Sequence, residues 1–142
     1  MSRYLSIAVL VLLSLTVPSH AQFPRQGVAE IPNGQPSAFA GAWAIGFPEG
    51  DGMINGDPPV TCEAPVLLQA DGERRLVYVS PAGKEIVFEL TEFSGRTVWF
   101  PASGGLSMLA VWTSPEEFFS YSVDLSTGRA RWDDPRVYRR CL

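Results

Sequence analysis

Turn signals divide the chain beyond Val60 into segments of about ten residues, a spacing that favours short strands over helices. Asp71-Gly72, Pro81 to Lys84, Ser94-Gly95, Pro101 to Gly105, Ser126 to Arg129 and Asp133 to Pro135 are the punctuation. Between them lie Leu76 to Val79, Glu85 to Leu90, Arg96 to Phe100, Leu106 to Trp112, Phe118 to Val123, Ala130 to Trp132 and Val137 to Cys141. Val60 to Cys62 and Val66 to Gln69 precede them, interrupted by Pro65, which an edge or a bulge tolerates. No capped stretch with helical periodicity competes; Pro115 to Glu117 has room for one turn at most.

The first strand of the series reads Phe39 to Phe47. Its large residues Phe39, Trp43, Ile45 and Phe47 take alternate positions, and Ala40, Ala42, Ala44 and Gly46 take the others. One face is therefore bulky and the other nearly bare, as a strand pressing one side into a core requires. Eight or nine short strands must hide their edges, and closing the sheet on itself does so completely. The expected fold is all-β: a small antiparallel up-and-down β-barrel of about eight strands, with a β-sandwich as the alternative.

Gly41-Ala42-Trp43 on that first strand resembles the Gly-x-Trp signature of the lipocalins and related calycins, a group that includes small secreted metalloprotease inhibitors of bacteria. In such barrels the Trp plugs the closed end and a basic side chain near the last strand packs over its ring. The resemblance implies that role for Trp43, with Arg139 or Arg140 as the partner. The second and third lipocalin motifs have no counterpart here.

Residues 1–21 read as a secretory signal peptide: Arg3, an apolar run from Leu5 to Leu13 extending to Val17, and Ser19-His20-Ala21. The run is shorter than the ~20 residues of a membrane-spanning helix, so a chain that does not span the membrane after cleavage is expected. The mature chain would have 121 residues, and residues 22–38, rich in Pro, Gly and Gln, read as a flexible leader to a single domain over 39–142. Cys62 and Cys141, bound for an oxidising periplasmic or secreted location, are expected to form one disulfide.

Charge and chemistry narrow the function. The mature chain carries 10 basic and 15 acidic residues, with Lys84 its only lysine, a balance unsuited to nucleic acid. The only histidine, His20, leaves with the signal, removing the commonest general base and metal ligand. Glu116-Glu117 and Asp133-Asp134 are adjacent in sequence, which points them to opposite faces of a strand and away from a shared catalytic cleft. Ser103 lacks a nucleophile elbow. No enzyme activity and no cofactor are expected. The loop after the first strand offers Glu49, Asp51, Asn55 and Asp57 as oxygen ligands for calcium, without the EF-hand spacing.

The aromatic inventory is the remaining functional pointer. Trp99, Trp112 and Tyr121 are candidates for contact with a protein partner or a small apolar ligand. Together these features predict an exported, non-enzymatic binding or inhibitory module; the calycin resemblance implies a periplasmic protease inhibitor acting through its N-terminal leader. The alternative is a structural accessory subunit of a bacterial envelope assembly.

Overall fold

The computed structural model describes residues 22–48 and 59–142. Nine strands follow a single helical turn: α1 (Pro36–Phe39), β1 (Gly41–Gly46), β2 (Val66–Asp71), β3 (Arg75–Val79), β4 (Glu85–Phe93), β5 (Arg96–Pro101), β6 (Ser107–Ser114), β7 (Glu117–Asp124), β8 (Arg129–Ala130) and β9 (Arg136–Arg140). Strands β1 to β7 pair in sequence order, β7 pairs with β9, and β9 returns to β1. Every pairing is antiparallel, and the ring of eight strands leaves no edge along the barrel wall. The short β8 adds to β7 ahead of β9.

The turns follow their sequence chemistry. Ser94 and Gly95 both have positive φ, 51° and 75°, the two-residue geometry that matches the twist of a tight hairpin. Pro115 and Glu116 form the β6–β7 hairpin turn and no helix. Phe39, expected as the first strand residue, ends α1 instead. Pro36 presets the helical φ at the first position of the turn, and Gly41, at φ 141°, redirects the chain into β1.

The interior is a solid aromatic core. Phe118 is its hub, with ring centroids of Tyr138, Trp43, Trp112, Phe39 and Trp99 between 4.5 and 5.8 Å away. Val66, Leu68, Leu76, Phe88 and Leu90 complete the lining. Eight strands enclose only enough room for side chains, and here large rings fill it.

A second apolar cluster lies on the outside. Val98 on β5, Leu109 and Val111 on β6, and Tyr121 on β7 are buried although their parity points them away from the barrel axis. Residues 22–38, read from the sequence as a flexible leader, provide part of the cover. Phe23 packs on Phe119, the Tyr121 hydroxyl donates to the Pro24 carbonyl, and Arg96 Nε donates to the Arg25 carbonyl. The segment then turns onto the closed end, where Val28 N–H donates to the Trp112 carbonyl and Gly34 N–H to Thr97 Oγ1. Its prolines keep it out of the sheet, yet its backbone groups find partners on the barrel.

Cys62 and Cys141 are bonded, with Cα atoms 5.6 Å apart. Cys62 precedes β2 and Cys141 follows β9, the two neighbours of β1, so the disulfide spans the strand that carries Trp43. No helix among the described residues is long and apolar enough to cross a membrane.

Candidate functional site

The closed end is built around Trp43. Its indole N–H donates to the Phe39 carbonyl at 2.8 Å, and the Arg140 guanidinium lies 4.3 Å from its ring centre. Strand register chooses between the two arginines: Arg140 pairs with Trp43 and shares its side, whereas Arg139 pairs with Ala44 and reaches outward to Glu117 at 3.2 Å. Arg140 also donates to the carbonyls of Ala40, Ala38 and Pro115 at 2.6, 3.1 and 3.2 Å. Desolvation draws its pKa below the usual arginine value, opposed by Glu116 nearby. This end of the molecule is a structural lock.

Of the three aromatic candidates for ligand contact, Trp99 and Trp112 lie inside the barrel, each 1% exposed. Their indole N–H groups have no hydrogen-bond partner among the described residues. Tyr121 faces outward, but the N-terminal segment and Trp132 cover it; the Trp132 ring stands edge-on at 4.7 Å. Burial pushes the Tyr121 hydroxyl up to about 12, with the Arg25 charge pulling the other way. The three side chains share no site. Parity does separate Trp99 from Val98 and Phe100, and the barrel interior takes the tryptophan because it can bury the larger ring.

The oxygen ligands proposed for calcium, Glu49, Asp51, Asn55 and Asp57, lie outside the described residues. Among the described residues no three acidic, histidine or cysteine side chains gather to hold a metal.

Of several concavities on the described surface, two have volumes of about 500 Å³ or more. The open end is a depression of about 690 Å³ between the β3–β4 turn and the β5–β6 loop, floored by Ile86, Phe88 and Met108. Phe88 packs on Trp99 with centroids 5.4 Å apart, so the depression goes no deeper. The other is a groove of about 500 Å³ on the outer wall, bounded by β4, β5, β7 and the β8 flap. Val98, Phe100 and Leu109 form its floor, and Phe93 and Leu125, 62% and 57% exposed, stand at its margins. This groove falls within the size range of small-molecule sites.

No protein family, curated protein or solved structure matches the chain in comparisons with known proteins.

The groove's charged lining residues are arginines, with Thr91 as a neutral polar neighbour. Arg96 and Arg129 line it, and Arg25 and Arg96 hold their guanidinium carbons 5.2 and 5.1 Å from the centre of the Trp132 ring. None of the three forms an ion pair among the described residues, whereas Arg74, Arg75, Arg136 and Arg139 each have a carboxylate partner. The flap that carries Trp132 is an excursion of residues 131–135 between β8 and β9, which both pair with β7. The sequence held a signal for this outer face. The run from Leu106 to Trp112 is apolar at both parities, as in a strand covered on both sides.

Proposed function

We propose that this chain is an exported, non-enzymatic binding or inhibitory module of calycin type that recognises its partner with the outside of a solid barrel. The observation that supports the proposal is the filled interior, in which the described residues leave no central cavity for cargo, so the surfaces proposed for recognition are the N-terminal segment, the outer groove and the open end. The Trp43–Arg140 pair and the sequential strand order support the calycin likeness. Export is supported by the disulfide and by the signal-like first 21 residues. A non-enzymatic role is supported by the absence of histidine beyond the signal-like first 21 residues.

The inhibitory version of this reading assigns protease contact to the N-terminal segment, whose first residues Phe23 to Arg25 are already ordered against the barrel wall before any partner arrives. Such ordering reduces the entropic cost of binding in a substrate-like geometry. Removing residues 22–37 would take Ile31 and Pro36 from the core, so the informative truncation starts the chain at Gly27. Assayed against exported metallo- and serine proteases, the truncated protein should lose inhibition at least 100-fold while keeping its barrel circular dichroism. Inhibition retained by the truncated protein rejects the mechanism.

The second reading, an accessory subunit of an envelope assembly, is favoured by the exposed Phe93 and Leu125 beside the groove. Stoichiometric co-purification with an envelope component, abolished by Phe93→Ser with Leu125→Ser, supports it.

A further inference from the structure

From the charge and shape of the outer groove, we infer that it binds a free single-chain amphiphile with an anionic head group, such as a medium-chain fatty carboxylate. The inference deepens the outside-binding proposal and names a ligand class for one of its surfaces. The floor of Val98, Phe100 and Leu109 offers an apolar chain a continuous bed between the strands and the β8 flap. Three cationic groups gather there: Arg96 and Arg129 line the groove, Arg25 stands at the Trp132 ring, and none of the three has a carboxylate partner among the described residues, Arg96 Nε donating instead to the Arg25 carbonyl.

That concentration runs against the rest of the molecule. The mature chain has five more acidic than basic residues, so a groove presenting unpaired guanidiniums is a local reversal of sign. Asp124, at the β7 end, is turned into its own loop by hydrogen bonds from Ser126 N–H and Oγ at 2.9 and 2.6 Å. A head group entering the groove therefore meets donors and positive charge. Guanidinium groups are suited to bidentate contact with a carboxylate or phosphate. The same overall negative charge opposes docking on an anionic bilayer, which is why the ligand is a dispersed amphiphile and not a membrane surface.

The test uses the mature chain at neutral pH and low salt. Calorimetric titration with dodecanoate should give saturable one-to-one binding, at least 10-fold tighter than dodecyltrimethylammonium or butanoate. Chemical-shift changes in labelled protein should cluster on the outward residues of β5 to β7 and on Trp132. Leu125→Asp, a substitution at an exposed position, should weaken dodecanoate binding at least 10-fold without moving the melting temperature by more than a few degrees, and Arg129→Gln should do likewise. The proposal is overturned by no saturable binding, by equal affinity for the cationic chain, or by shift changes centred on Ile86 and Met108 at the open end. Co-sedimentation with phosphatidylglycerol vesicles, or a dimer in solution that Leu125→Asp dissociates, would likewise overturn it in favour of a membrane or a second copy. Each of these outcomes leaves the protease assay of the truncated chain to be decided separately.

Discussion

Gly41 leaves open the space that Arg140 occupies: a Cβ at position 41 would lie 2.6 Å from Arg140 Nη1. Gly41 also has φ 141°, a conformation that side chains with a Cβ rarely adopt. The glycine and the arginine, 99 positions apart in sequence, are thus one device, with Trp43 beneath them. Gly41→Ala should destabilise the fold by about 2–4 kcal/mol, combining backbone strain with displacement of the guanidinium. Urea denaturation of the two proteins measures it, and a change below ~1 kcal/mol contradicts the arrangement.

The tryptophans separate a bonded indole from unbonded ones. Trp43→Phe removes the hydrogen bond to Phe39 and the stack under Arg140, whereas Trp99→Phe removes an indole N–H that has no partner among the described residues. Both leave a similar void. Trp43→Phe should therefore cost about 1–3 kcal/mol more than Trp99→Phe in paired denaturation curves.

Alkali should unfold this protein cooperatively. Tyr78, Tyr121 and Tyr138, the three tyrosines among the described residues, all have pKa values raised above that of a free phenol, each chiefly by burial. A folded pKa above the unfolded value means the native state holds its protons longer, so stability falls as pH rises past the unfolded value near 10. Below that pH the contribution is fully present, and for Tyr121 it is lost as pH climbs toward about 12. Absorbance titration at the phenolate band should show no ionisation at the normal tyrosine pKa, then a steep step coincident with unfolding. Three independent titrations near the normal value would contradict the burial.

Reduction of the disulfide should destabilise without changing the fold. Closing a 79-residue separation restricts the denatured chain by roughly 4–5 kcal/mol in the chain-entropy model. Cys62→Ser with Cys141→Ser should lower stability by about 2–5 kcal/mol while leaving the near-ultraviolet signature of the aromatic core in place at low temperature.

The barrel was legible in the sequence because strand parity and turn residues act locally. The alternation around Trp43 and the Ser94-Gly95 hairpin both needed only short-range rules. The choice of Arg140 over Arg139 was not legible, because it depends on the register of β9 against β1, two strands joined only after the whole chain has circled. The outer groove was hidden for a related reason. Trp132 belongs to an excursion between β8 and β9, and its position over Tyr121 is set by pairing along β7. Phe39 was misplaced by alternation alone, since Phe39 continues the pattern of Trp43 and Ile45 while Pro36 has already committed the chain to a helical turn.

Whether the barrel is solid decides where this protein can bind anything, and tryptophan quenching reads that most directly. In a Trp132→Phe variant the chain retains Trp43, Trp99 and Trp112, all within the aromatic core. Their emission should be blue-shifted and resist iodide and acrylamide until the protein unfolds. A readily quenched fraction in the folded variant, or an apolar ligand that perturbs these three indoles, would contradict the filled interior and return binding to the inside of the barrel.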